Sequence, residues 1–395
     1  MSLRMMEAYL QDPFLSRLYS EIRAAGALRS ISVDLTHSCN LRCTGCYFFA
    51  EGMDSHHMPA GGEVLDRFIA QEKSRGTNFV TVVGGEPGIY LDRLKKLYDS
   101  FSISVATNGW LRIPYEGFEN LPIGIAVWGD HGTDRRLRGS GHLDVFARAL
   151  ANYRDDPRAF WYYTTIPGYA HEIEGVVSQC VRNGNRVLFN YYNDLSSRGT
   201  EAGGSRGFEA VRREIDRMIR LYPEHILLSS YVNRVFSSGR LYDQTWGYDV
   251  CTSLSEDTGL TPERAHNGNP YNPHFRAYNA DLKTTRRCCT RLHGDCSSCY
   301  DVWQHFSWII LNLRKHLGSR QEFTNWLTTM YMFYSINRLV DHEEGLLTEI
   351  HARTGADLSE EKNDGRRPDL IPVEACRSGA IQTKTLDDQN HSRRR

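Results

Sequence analysis

The sequence of 395 residues contains no run of 18 apolar residues, so no segment reads as a membrane-spanning helix. Neither sign of charge is in excess: 47 Lys and Arg stand against 48 Asp and Glu, for a net charge of −1. No global field points to nucleic acid or to an anionic membrane as a partner. Met1 to Arg23 mixes charged with apolar residues and lacks the apolar core of a secretory signal. No internal repeat is visible. Cysteine, by contrast, is plentiful, with ten residues. Without a signal segment these suit metal–sulfur work in a reducing cytosol better than disulfides, so a cytoplasmic location is expected.

Three of the ten share one short loop, His37-Ser38-Cys39-Asn40-Leu41-Arg42-Cys43-Thr44-Gly45-Cys46-Tyr47-Phe48, directly after a strand-like run, Ile31–Leu35. A fully ligated electron-transfer cluster wants four cysteines, and this loop has three. Cys39, Cys43 and Cys46 can hold three irons of a 4Fe–4S cluster and leave the fourth open to another ligand. The alternative for such a loop is a zinc knuckle. Further along comes Thr81-Val82-Val83-Gly84-Gly85-Glu86-Pro87, in which a β-branched strand ends in two glycines that let backbone approach a neighbour closely.

Together the two segments resemble the radical S-adenosylmethionine superfamily, whose cluster motif is C-x3-C-x-aromatic-C and whose second strand ends in GGE. One departure is plain: Gly45 occupies the usual aromatic position, and the ring is displaced to Tyr47. The resemblance implies a partial (β/α)6 barrel and S-adenosylmethionine as cofactor. It also implies a flavodoxin- or ferredoxin-type electron donor, and a 5′-deoxyadenosyl radical that abstracts a hydrogen atom from substrate. Gly84, Gly85, Glu86 and Pro87 would bind the methionine end of the cofactor. Thr107 and Asn108, after the third strand, would touch ribose or methionine. Asn190 would flank adenine or substrate, and Tyr47 would lie beside the cofactor.

The strand pattern agrees with an α/β fold. Candidate strands are 30–35, 78–83, 102–107, 123–128, 160–165 and 187–192, with helical segments between most of them. Working residues in such sheets sit in loops after the strand C-termini. The expected organisation is a helical lead over 1–29, the barrel over 30–235, a cysteine-rich region with two helices over 236–345, and a polar, disordered tail over 346–395. The lead is expected to hold one amphipathic helix over 5–25.

A second cysteine group, Cys288, Cys289, Cys296 and Cys299, lies in an irregular stretch that needs something to hold it together, with Cys251 upstream. It resembles the auxiliary-cluster region of many superfamily members, in its shorter "twitch" form. Cys251, Cys289, Cys296 and Cys299 are the expected ligands of a second 4Fe–4S cluster, with zinc as the alternative; spacing does not separate Cys289 from Cys288. Catalytic candidates are Asp130 and His131 after the fourth strand, Tyr191 on the sixth, and Cys180 as a hydrogen-atom donor. Each has a plainer reading as a turn or packing residue. Arg135, Arg136 and Arg138 are candidates to pair with an anionic group or to form a solvated face. The expected substrate is a small molecule of aminoglycoside or sugar type, changed by dehydrogenation, epimerisation or elimination. A precursor peptide is the alternative, and no cobalamin-binding domain is apparent to support methyl transfer.

Overall fold

The computed structural model describes residues 2–192, 208–237, 251–256, 274–290 and 299–355, all within one compact unit. Six strands form its centre: β1 (Ser30–Asp34), β2 (Phe79–Val83), β3 (Ser102–Thr107), β4 (Ile123–Val127), β5 (Ala159–Thr165) and β6 (Arg186–Tyr191). They lie side by side in chain order, every neighbouring pair parallel. Parallel neighbours require crossovers. Those crossovers include α4 (Gly62–Ser74), α5 (Leu91–Tyr98), α7 (Val145–Asn152) and α8 (Ile173–Arg182). Two short strands, β7 (Ala277–Tyr278) and β8 (Thr285–Arg286), extend the sheet beyond β1, the first parallel to it and the second antiparallel. The α/β class and all six strands are as expected from the sequence, each boundary within one residue.

Side-chain alternation divides the sheet into two unlike faces. One carries Val33, Val82, Val105, Ile125 and Trp161, all buried. Helices cover it, as the edge-on contact of Phe146 from α7 with Trp161 shows, with ring centroids 5.2 Å apart. The other face carries small or polar residues. Ser32 pairs with Thr81, Thr81 with Ser104, Ala106 with Gly124, and Ala126 with Tyr162. Ala106 is solvent-exposed although β3 is flanked by strands on both sides. Among the described residues the inner face is therefore open at Ala106, towards the C-terminal end of β3, whereas Ser32 and Gly124 on the same face are buried.

The lead is two helices, α1 (Ser2–Tyr9) and α2 (Pro13–Ala25), not one. Pro13 cannot continue a helix from within, but it starts one well, and Asp12 caps it by accepting from the Phe14 amide at 2.9 Å. The remaining α-helices among the described residues are α3 (Tyr47–Ala50), α6 (His131–Leu137), α9 (Glu209–Leu221), α10 (Ser230–Ser237), α11 (Val302–Leu311), α12 (Arg320–Ile336) and α13 (Leu346–Thr354). The last corrects the expected tail: Leu346, Leu347 and Ile350 are buried in the core, so order extends past 346. Among the described residues no helix is long and apolar enough to cross a membrane.

Candidate functional site

The three-cysteine loop leaves the C-terminal end of β1 and is clamped by the turn after β2. Gly85 N–H donates to Thr36 O at 3.0 Å and Glu86 N–H to Ser38 O at 2.9 Å. Gly84 has φ +116°, and a β-carbon there would stand 2.9 Å from Thr36 O. A β-carbon on Gly85 would run into the carbonyl of Ser38. The paired glycines are thus required by backbone lying on backbone at the threshold of Cys39. The Glu86 carboxylate is fully buried and accepts from Gly88 N–H (2.8 Å), the Thr107 hydroxyl (2.6 Å) and Asn108 N–H (2.8 Å). Burial pushes its pKa up, against the lowering effect of those donors. Glu86 therefore binds the β2 turn to the end of β3, and Pro87 opens the short turn that follows. Asn108 completes the link, its side-chain amide donating to Asn40 Oδ1 at 2.7 Å and lying 3.9 Å from Cys39 Sγ.

Cys39, Cys43 and Cys46 are each partly exposed at the residue level, but their thiols are largely desolvated. Burial pushes Cys39 up to about 11 and Cys43 up to about 12; Cys46 also rises, and the neighbouring thiols add to the effect on Cys39 and Cys43. A donor set of this kind is poorly ionised on its own, and cationic iron would make three thiolates favourable here. Among the described residues no three His, Cys, Asp or Glu side chains converge as ligands of a single ion. Tetrahedral zinc would hold sulfurs about 3.8 Å apart around one centre. Thiolates on separate irons of a cluster need no common centre. Three thiols on one loop are the type of donor that such a cluster takes.

Gly45 has φ +75°, and any side chain on it would strike the hydroxyl of Tyr192. The Tyr192 ring, just past β6, stands where the loop lacks an aromatic. It meets Trp128, just past β4, edge-on at 5.8 Å. Tyr47 begins α3, and burial and nearby Asp34 hold its phenol well above its usual pKa.

The four catalytic candidates are committed to folding contacts. Asp130 caps α6, accepting from Gly132 and Thr133 N–H at 2.8 and 2.9 Å. His131 is held between Asp144 (3.0 Å) and Gln179 (2.8 Å). Tyr191 donates to Asn233 Oδ1 at 2.8 Å, and Cys180 is buried in the apolar core among Ile173, Val176 and Val177. The physical reason for Tyr191 is parity: it pairs with Thr165, on the helix-covered side of the sheet, whereas Asn190 pairs with inner-face Thr164. The same alternation carried on to Tyr192, and back to Tyr162 on β5, would have found both. Arg135 pairs with Asp144 (2.8 Å) and Arg136 donates to Tyr169 (3.0 Å).

The start of α11 lies at the same end of the inner face. Asn190 Oδ1 accepts from Val302 N–H at 2.8 Å, and Tyr162 donates to Asp301 at 3.4 Å. Burial raises Asp301 to about 6. Nearby, Cys251, Cys288 and Cys289 come together across the sequence. Cys251 packs with Leu254 and Cys288, and its thiol donates to Ser307 Oγ at 3.4 Å. Cys289 is held well above the usual thiol range by its contact with Cys288, by burial, and by Asp301 and Cys251. Cys299 is partly exposed, and Cys296 lies outside the described residues. Arg286 ties this group to β1, donating to Asp34 at 2.8 Å and to Cys289 O at 3.4 Å, with both charged side chains buried. Burial nonetheless lifts Asp34 to about 6, the guanidinium only partly opposing it.

No family model matches the sequence. An uncharacterized protein of Archaeoglobus fulgidus is 26% identical over 202 residues, 49% of this chain and 48% of that protein. The chain thus spans about half the length of the curated relative it matches. Among solved structures, Streptococcus suis SuiB bound to S-adenosylmethionine aligns over 50% of this chain and 49% of its own, at 15% identity and a TM-score of 0.37. His-tagged anSMEcpe with bound AdoMet aligns over 74% and 83%, at 14% identity and a TM-score of 0.45. TYW1 with a lysine–pyruvate adduct aligns over 48% and 73%, at 17% identity and a TM-score of 0.33.

Proposed function

We propose that this chain is a radical S-adenosylmethionine enzyme whose 4Fe–4S cluster is held by Cys39, Cys43 and Cys46. The observation that carries this is the three-thiol loop at the C-terminal end of β1, clamped by the Gly84–Glu86 turn at the end of β2 and set beside an inner face of small and polar residues that is exposed at Ala106. When bound, the cluster and cofactor supply one-electron cleavage of the C5′–S bond and a radical able to take hydrogen from an unactivated C–H bond. The chain's own part is positional. Gly84 and Gly85 set the loop's backbone, Glu86 and Asn108 fix the β3 end against it, and Tyr47, Trp128 and Tyr192 supply aromatic surface beside it. The half-buried hydroxyls of Thr81 and Ser104 suit a small polar substrate that hydrogen-bonds along the inner face. This favours a sugar-like specialised metabolite, undergoing dehydrogenation, epimerisation or elimination, with electrons from a flavodoxin- or ferredoxin-type donor. We assign Cys251, Cys289, Cys296 and Cys299 to a second 4Fe–4S cluster.

The test is production of 5′-deoxyadenosine by anaerobically reconstituted, reduced protein. The wild type should form it, and the variant with Cys39, Cys43 and Cys46 all changed to Ala should not. Equal cleavage by both, or none by an iron-loaded wild type, refutes the reading. Acceleration by a precursor peptide but by no amino sugar would move the substrate to the peptide class.

A further inference from the structure

Arg42 lies on the cysteine loop, between Cys39 and Cys43, and is exposed. Its side chain is nonetheless fixed. Nη1 donates to Leu41 O at 3.1 Å and to Cys39 O at 3.3 Å, and the guanidinium sits 4.2 Å over the ring of Phe49 in α3. Both hydrogen bonds come from that one nitrogen. Nε and Nη2, the edge that grips a carboxylate by two parallel bonds, have no partner among the described residues. Other arginines around the site are already paired. Arg135 and Arg138 meet the carboxylates of Asp144 and Asp134 at 2.8 and 2.9 Å, and Arg286 meets Asp34 at 2.8 Å. A second unneutralised cation, Arg93, stands in the first turn of α5, just past the turn that clamps Ser38. Its guanidinium lies 4.5 Å over the Tyr90 ring, and no carboxylate pairs with it among the described residues.

Bonding within the loop accounts for Nη1 of Arg42. It does not account for the other edge of the fork, held in place on an aromatic ring although ordering a long exposed side chain costs conformational entropy. A fork already ordered binds a carboxylate with little further loss. Its position indicates whose carboxylate. Asn40, Arg42 and Thr44 form an exposed edge of the loop, interleaved in sequence with the residues that carry the thiols. An electron supplied from outside has its shortest route to those thiols through a protein seated on that edge. The whole chain carries a net charge of −1, so its overall field attracts no acidic protein. Local cations must supply the attraction and the orientation.

We propose that Arg42, assisted by Arg93, is the docking contact for an acidic one-electron donor protein, its open fork taking a surface carboxylate of that partner. This rests on the cluster reading above and names the surface through which the external donor is engaged. One electron passes from donor to cluster, and no proton moves.

The test is binding of an oxidised flavodoxin to the full-length protein, measured by titration calorimetry at low salt, with a ferredoxin as second probe. Arg42→Glu should weaken binding about tenfold, since it removes an attraction and adds a repulsion. Arg42→Gln, which keeps a donor for the loop carbonyls, should weaken it by less, and added salt should narrow both differences. Arg213→Glu makes the same change in net charge at an exposed position on α9 and should have no effect. In the anaerobic assay, 5′-deoxyadenosine formation driven by reduced flavodoxin should show a raised KM for the donor in Arg42→Gln, while dithionite drives wild type and variant alike. Unchanged affinity in both Arg42 variants overturns the proposal, as does an equal loss in Arg213→Glu or a wild type that binds neither probe. Equal loss of the dithionite-driven and flavodoxin-driven rates also overturns it and makes Arg42 a staple of the loop. Should Arg42→Glu not fold, Arg42→Gln decides alone. A wild type that takes up no cluster refutes the earlier reading instead, and the binding measurement needs no cluster, so the two failures are distinct.

Discussion

Changing Gly85 to Ala adds one methyl group at the tightest backbone contact of the site. The new carbon would collide with the carbonyl of Ser38 and lie 3.1 Å from Cys39 N, and neither is the end of a flexible side chain. The loop backbone must retreat, which strains the bonds from Gly85 N–H to Thr36 O and from Glu86 N–H to Ser38 O. At about 1 kcal/mol for each bond and a similar amount for the displaced packing, the loss is about 2–3 kcal/mol. That is well inside the 5–15 kcal/mol typical of a folded domain, so the sheet should survive and melt only a few degrees lower. The cysteine loop, which bears the displacement, should not keep its geometry. Iron retained after anaerobic reconstitution should therefore fall by one cluster's worth, and 5′-deoxyadenosine formation should fall with it. Gly52→Ala is the control. It forces a side chain into φ +69° but meets nothing within 4 Å, so it should lose stability and keep its iron. Full iron and full cleavage in Gly85→Ala would show that the loop tolerates the displacement, and would refute the claim that this turn sets it.

Gly45→Phe should lower cluster content, because the ring would strike Tyr192, and Tyr192→Gly in the same chain should restore it; iron assay on the single and double variants checks this. Asp34 sits near 6 in the fold against 3.8 as a free carboxyl, so the native state binds the extra proton. Its stabilising contribution is therefore full below about pH 4 and is lost as pH rises through 6, a change of about 3 kcal/mol. Urea unfolding at pH 4.5 and 7 should show that decline, and Asp34→Asn should flatten it. Cys296→Ala should reduce iron from about eight to about four per chain on the two-cluster assignment. A wild-type count near four with stoichiometric zinc would contradict that assignment.

What was legible in the sequence was whatever is written locally. The six strands stand out because β-branched runs alternate with amphipathic helices. The two glycines of the β2 turn stand out because nothing else tolerates so close a backbone. Helix α6 was not legible, since His131–Leu137 carries no apolar stripe; it depends on the Asp130 cap and the Asp134–Arg138 pair. Strand parity places Tyr191 on the helix-covered side of the sheet and its neighbour Tyr192 on the other, a distinction that the choice of Tyr191 ignored. Other parts of the site are contacts between distant residues: Gly45 with Tyr192, Asn190 with Val302, Leu137 with Thr44 of the loop. No spacing within one segment encodes these, and only the fold brings them together.

The Asp34–Arg286 pair also has a consequence in time. Its two members are 252 positions apart, and β7, which covers the edge of β1, arrives only shortly before Arg286. A ribosome adding roughly 5–20 residues per second needs about 13–50 s to travel that distance. Through that interval the first strand has an uncovered edge and a carboxylate whose counter-charge has not been made, next to three thiols that have. Vectorial synthesis therefore delivers the ligands of the first loop long before the strand beneath them can close. An unpaired strand edge invites association with other chains, so a ribosome-bound chain stopped before 286 should be the aggregation-prone form of this protein.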